Sequence, residues 1–382
     1  MSSGSRRRGN RADGDRGGPK LCPKYGRWHE CKRFDHMIRP ILVVLVILPL
    51  VAAAQTAKTG ASACVPCHSQ AKAQPHTSMG QALEAVEDCK VLIDRPVLAV
   101  TVGRYSYRIE RKGNQSEYSV TDGVGTITAP IRWAMGASSS IGQTYILEKG
   151  GELYESRVSY YRELKELGPT MGSTTSAPAN LNEALGRLMT VEDKLSCFGC
   201  HSTDAKSGRQ LTLEKLKPGV QCDHCHESSE SHLLAMIQFG DGAESAIPKS
   251  TAGGLAAEQV SDFCGQCHRT WAEIVMQPNL GIGNVRFQPY RLAGSKCYDP
   301  DDPRISCLAC HDPHRELVAE TKDYDSKCQA CHGGGKPGAK PCRVAKSNCA
   351  SCHMPKLELP GAHYKFSDHR IRIMKPNQRY PE

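Results

Sequence analysis

The chain carries the pattern C-x-x-C-H seven times, at 64–68, 197–201, 222–226, 264–268, 307–311, 328–332 and 349–353. Two thiols three residues apart can bond a porphyrin covalently, and a histidine directly after them can bind its iron from one side. This is the attachment chemistry of c-type haem. Zinc knuckles also use C-x-x-C pairs, but they do not need a histidine directly after each pair. Here all seven pairs have one, although only 15 of 382 residues are His. A thioredoxin-like redox motif needs one such pair near a βαβ pattern, not seven. The expected cofactor is therefore haem c, seven per chain. The anchors are Cys64, Cys67, Cys197, Cys200, Cys222, Cys225, Cys264, Cys267, Cys307, Cys310, Cys328, Cys331, Cys349 and Cys352. The proximal iron ligands are His68, His201, His226, His268, His311, His332 and His353.

The second ligand of each iron must come from elsewhere. After the fifth motif the chain reads His311-Asp312-Pro313-His314. His314 is too close in sequence to His311 to reach the other face of the same haem, so as a ligand it must serve a different iron. His232 follows the third motif in a similar way, and His76 follows the first. His363 and His369 lie beyond the last motif. These five are the expected distal ligands. His224, inside the CDHCH loop, is sterically excluded from its own iron. Six spare histidines cannot serve seven irons, so at least one iron carries another group or none. Met79, Met171 and Met354 are further sulfur candidates, although a core methionine is the commoner case.

The only long apolar run is 41–54, of 14 residues, which is short for a membrane span. Arg39 precedes it and three alanines end it. This reads as a secretory signal over 37–54, cut near Ala54. Residues 1–36, with Cys22, Cys31, His29 and His36, read as a disordered leader or an untranslated stretch preceding a start at Met37. Bacterial c-type haem is attached outside the cytoplasmic membrane, so a periplasmic or otherwise exported location is expected. A membrane link would arise only from an uncleaved signal segment.

Charge argues against a nucleic-acid partner. The formal +9 comes from 49 Lys/Arg against 40 Asp/Glu, but the first 54 residues hold 11 of the former and only 4 of the latter. The remainder is close to neutral before the propionates of the haems are counted.

Between the first motif and the other six lies a segment of different character. Residues 97–161 alternate like strands, and Gly150-Gly151 reads as a hairpin turn. The expectation is a small antiparallel unit of four to six strands. Residues 181–195 read as one helix. The expected division is a first haem segment over 55–90, a β-rich insert over 91–165, a helical connector over 166–196 and a multihaem domain over 197–382. With only 6 Phe in the chain, the haems themselves would form much of the core. The fold class expected is α+β, mainly loops and short helices packed around covalent haems, with the small β unit inserted after the first motif. Cys89, Cys297 and Cys342 remain in the exported part, where a disulfide is permitted. Three is an odd number, and sequence does not choose a pair.

GVQCDHCHESSESH, ISCLACHDPH and CASCHMPK followed by FSDHRI resemble multihaem cytochromes of the cytochrome c-554 type. That group shares a haem-packing core with nitrite reductase and hydroxylamine oxidoreductase. The resemblance covers about 55–80 and 195–375. It implies close haem pairs, with His232, His314, His363 and His369 carried from one motif to the iron of another. The chain departs from the pattern after the third motif, where relatives often have Gly-Pro.

An electron-transfer protein is the leading expectation, because two histidines on an iron leave no room for substrate. Its partner would be a redox protein or a quinol-linked membrane complex. The alternative is a multihaem oxidoreductase acting on a small nitrogen or sulfur compound at one open iron. The nitrite reductases of that superfamily use a C-x-x-C-K motif, and no such motif occurs here.

Overall fold

A computed structural model describes residues 61–374, apart from 139–140, 174–175, 227–228, 241–251, 319 and 334–341. The expected leader, signal segment and cleavage site lie outside the described residues.

The alternating segment forms nine strands: β1 (Leu83–Ala85), β2 (Val97–Val102), β3 (Tyr105–Lys112), β4 (Gln115–Thr121), β5 (Thr126–Met135), β6 (Gly142–Lys149), β7 (Glu152–Tyr161), β8 (Glu166–Pro169) and β9 (Gly186–Leu188). Strands β2 to β8 pair in sequence order, all antiparallel, while β1 joins β5 and β9 joins β7. Strands β2 and β8 pack against each other, so the sheet is nearly closed. The expected class, mainly loops and short helices with a small β unit, is therefore wrong. The dominant element is this large sheet. Strands of three or four residues, such as β1, β8 and β9, are too short to show the period-2 pattern on which strand reading rests.

The β6–β7 turn places Gly150 and Gly151 at φ 62° and 81°, the left-handed pair that a tight hairpin asks of its two central residues. Inward-facing residues alternate along the strands. Tyr105, Tyr107 and Ile109 of β3 pack with Tyr118 and Val120 of β4, Tyr145 and Leu147 of β6, and Val158 of β7. This tyrosine-rich interior is a conventional apolar core that needs no cofactor. Cys89 is fully buried in it and donates its S–H to Gln143 Oε1 at 3.2 Å. Burial pushes the thiol up to about 12. Cys297 and Cys342 are exposed, and no disulfide joins the described cysteines.

The expected helix over 181–195 is two helices, Leu181–Leu185 and Val191–His201, with β9 between them. Gly186 causes the break: it lies so close to β7 that an added Cβ would come within 2.2 Å of the Glu155 carbonyl oxygen. Asn180 caps the first helix, and Thr190 with Asp193 forms a capping box on the second. That second helix carries Cys197, Cys200 and His201 straight off the sheet. Beyond it the chain forms short helices and two-stranded ladders. Among the described residues no helix is long and apolar enough to cross a membrane.

Candidate haem-binding sites

All seven motifs touch a helical turn. They lie on or at the ends of Ala61–Cys64, Val191–His201, Cys222–Cys225, Ala257–His268, Cys307–Cys310, Asp325–His332 and Cys349–His353. Residues three and four apart on a helix share a face, so one turn presents both thiols and the imidazole to the same side. The turn is closed at His68, His226 and His311, whose backbone N–H groups donate to the carbonyl of the first cysteine at 2.8–2.9 Å.

Several imidazoles have one nitrogen already committed. His201 Nδ1 lies 2.8 Å from the Ala82 carbonyl, His353 Nδ1 2.9 Å from that of Arg372, and His369 Nδ1 3.1 Å from that of Ser367. A carbonyl can only accept, so Nδ1 carries the proton and Nε2 keeps its lone pair. That tautomer is the one a metal requires. Burial pushes His201, His226, His268 and His311 below the usual histidine range, and His369 to about 4. The neutral form is the ligating form, so the residues present fit haem iron.

Three ring pairs join different parts of the chain. His68 and His232 have centroids 6.2 Å apart, His226 and His314 6.0 Å, and His311 and His369 6.2 Å. With a metal–nitrogen bond of about 2 Å on each side and a nitrogen roughly 1 Å from its ring centre, two imidazoles on one metal have centroids about 6 Å apart. Each of the three pairs combines a C-x-x-C-H histidine with one from outside the motifs.

Residues 161–227 match the family model described as cytochrome c554 and c-prime. The match is to c-type cytochromes. It runs from the end of β7 through the second and third motifs, and it supports a c-type cytochrome with covalent haem in electron transfer. No curated protein and no solved structure matches the chain.

Several of the C-x-x-C-H motifs are neighbours in space. The Cys64 side chain meets Cys222, Cys200 meets Cys267, Cys264 meets Cys307, and Cys328 meets Cys349. Cys225 lies within electrostatic reach of Cys264 and Cys267, and Cys310 within reach of Cys328. The motif at 264–268 therefore borders three others. The contact between the first and third motifs is tight in the backbone too. The Val220 N–H donates to the Met79 carbonyl at 3.0 Å, and a Cβ at Gly219 would lie 1.8 Å from the Gly80 oxygen. Trp133 of β5 packs edge-on against Phe198 of the second motif, at 5.2 Å.

The other candidates are scattered. His76 ends a short 3-10 turn, Gln74–His76. His363, at φ 49°, packs edge-on to Tyr161 at 4.8 Å. His224 lines a small polar cavity with Gly199, Asp204 and Asp223. Met171 Sδ faces Arg286 Nη1 at 4.0 Å, and Met354 follows the last motif helix. His332 ends the helix Asp325–His332. Among the described residues, no second imidazole faces His201, His268, His332 or His353 at the 6 Å spacing.

Sequence reasoning missed the polar residues that hold the ligands. Gln288 lies beside the His268 ring, with its side-chain oxygen buried and without a hydrogen-bond partner among the described residues. Asp325 accepts from the backbone of Asn348 and Cys349 at 2.5 and 2.7 Å, tying the sixth motif helix to the seventh. Asp368, beside His369, accepts from the guanidinium groups of Arg291 and Arg372 and from the Arg370 backbone N–H. No local spacing marks any of them, because their partners are distant in sequence.

Proposed function

We propose that the chain is an exported heptahaem c-type cytochrome that passes electrons along closely packed, mostly bis-His haems. Its partner would be a redox protein or a quinol-linked membrane complex. The observation that carries this reading is the set of three histidine pairs at about 6 Å, each spacing suited to one metal between two imidazoles. On this reading His232 serves the iron of His68, His314 that of His226, and His369 that of His311. Covalent haem would supply a one-electron couple at each site, tuned by ligand, burial and hydrogen bonds. The chain's own part is to anchor through fourteen cysteines, hold His201, His353 and His369 in the ligating tautomer and keep neighbouring motifs in contact.

The alternative, catalysis on a small nitrogen or sulfur compound at an open iron, draws support from His201, His268, His332 and His353. An iron at one of these would take an external ligand if no other side chain filled it. Electron paramagnetic resonance of the oxidised holoprotein, with and without cyanide or nitric oxide, tests both readings. Mainly low-spin bis-imidazole signals, with at most slow nitrite or hydroxylamine turnover, are expected. Rapid turnover, abolished when cyanide fills one iron, would overturn electron transfer as the main role.

A further inference from the structure

The segment Ser367–Arg372 contains one ligand-candidate histidine and touches another. Asp368 is its centre. Its carboxylate is 0% exposed and takes a two-pronged contact from Arg291, Nε to Oδ1 at 2.9 Å and Nη2 to Oδ2 at 3.0 Å. Arg291, on the helix Gln288–Ala293, is itself only 2% exposed. Arg372 Nη1 adds a contact to Oδ2 at 2.6 Å, and the Arg370 N–H one to Oδ1 at 3.0 Å. A buried carboxylate held this way is oriented as well as neutralised.

Two imidazoles depend on where this cluster puts the backbone. The Arg372 carbonyl accepts from His353 Nδ1 at 2.9 Å, and the Arg372 N–H donates to the His353 carbonyl at 3.2 Å. The Asp368 N–H reaches back to the Pro355 carbonyl at 3.0 Å. On the other side, His369 follows Asp368 directly, and its carbonyl accepts from Ser295 Oγ at 3.1 Å, just beyond the helix that carries Arg291. That same hydroxyl accepts from the Ile371 N–H at 2.8 Å.

We infer that Asp368 is a positioning residue for two iron sites at once, the one formed by His311 with His369 and the one headed by His353. The inference rests on the bis-His reading above. Asp368 touches neither iron. It fixes the turn that presents the His369 ring from one end and the Nδ1 acceptor of His353 from the other. A change at Asp368 therefore alters two sites whose cysteines belong to different motifs, and leaves the sites at 64–68 and 222–226 alone. Loss of its charge leaves the arginines less compensated beside both sites, which favours the reduced irons.

The test is redox titration of the holoprotein followed by paramagnetic resonance, comparing wild type with Asp368→Asn. His369→Met and His353→Met variants assign the components. Expected are upward shifts in potential and altered low-spin signals at the two assigned sites only, with Asp368→Glu restoring part of the change. Should Asp368→Asn fail to mature, Arg291→Lys keeps the charge and loses the two-pronged contact, and the same two sites should shift less. Uniform loosening of all sites, or no selective change in either variant, would overturn the inference. If His369→Met alters its iron but Asp368→Asn does not, the inference fails and the ligand reading stands. If His369→Met leaves every component unchanged, the ligand reading fails and takes the inference with it.

Discussion

The imidazoles of His226 and His314 lie nearly parallel, 15° apart, with centroids 6.0 Å from each other. His226 belongs to the third motif, and His314 follows the fifth by three residues. Asp312 holds His314 in place, accepting from its backbone N–H at 3.0 Å, with His314 Nδ1 3.1 Å from the same oxygen. The other two ring pairs are tilted, by 48° and 44°. In oxidised holoprotein the pair at 222–226 should therefore give a low-spin signal distinct from the other two.

Replacing His314 by Met should raise the potential of the haem at Cys222 and Cys225, because a thioether stabilises the reduced iron better than imidazole does. The haem at Cys307 and Cys310 should keep its axial ligands. Single-component redox titration distinguishes the two. A shift confined to the 307–311 haem would reverse the assignment.

Mass spectrometry of the purified protein should show a chain beginning near Gln55 with seven covalent haems. A lower count would mean that at least one motif is not loaded. Peptides from 1–36 in the cellular protein would sink the expectation of a start at Met37.

Gln288 should matter at His268. Gln288→Leu replaces the buried, partnerless amide oxygen beside that imidazole with an apolar group, so the potential of the 264–268 site should rise. Gln288→Glu should lower it by placing a negative charge beside the same ring. Because that motif borders three others, reduction kinetics in several other haems should change with it, which stopped-flow absorption would record.

Two changes probe the sheet. Gly186→Ala places a methyl against the Glu155 carbonyl, and should cost about 1–3 kcal/mol by overpacking, read as a fall in the denaturation midpoint. Glu84 tests pH. Burial, opposed by hydrogen bonds from Ser138 and Gln143, holds its carboxyl above the ordinary 4.5. The folded state binds this proton more tightly than the unfolded chain does. Its contribution is thus fully present below the unfolded value and lost as pH rises through the folded one. Glu84→Gln should flatten that loss, so wild type and variant should diverge more at about pH 8 than at about pH 4 in denaturant titrations.

The seven C-x-x-C-H motifs are legible because they are defined by spacing within five residues, and each falls on or beside a helical turn. Sequence spacing set His314 apart from the iron of His311, and the fold places its ring beside His226 of the third motif. The size of the sheet was not legible. Its central strands showed alternation, but β1, β8 and β9 are held by pairing with distant strands rather than by their own pattern. The helix at 181–195 read as continuous because its interruption depends on the closeness of Gly186 to Glu155, which no local signal carries. Asp368, Arg291 and Gln288 were invisible for a like reason, since ordinary polar residues acquire a role only from what the fold places beside them.

The order of the strands has a consequence for assembly. Each strand from β2 to β8 pairs with its immediate successor, so most of the sheet forms through contacts short in sequence that need little loop-closure entropy, and the β2–β8 seam and the β1 and β9 pairings join strands farther apart. The helical remainder is different: on the proposed reading its compactness would depend on the covalent haems. The sheet can therefore exist first. Once formed, it holds the Ala82 carbonyl, beside β1, where the His201 ring will later dock at 2.8 Å, and it launches the helix that bears that ring. On the proposed reading the sheet would thus be an assembly jig, setting the first and second attachment sites in register before the later ones have partners to stack against.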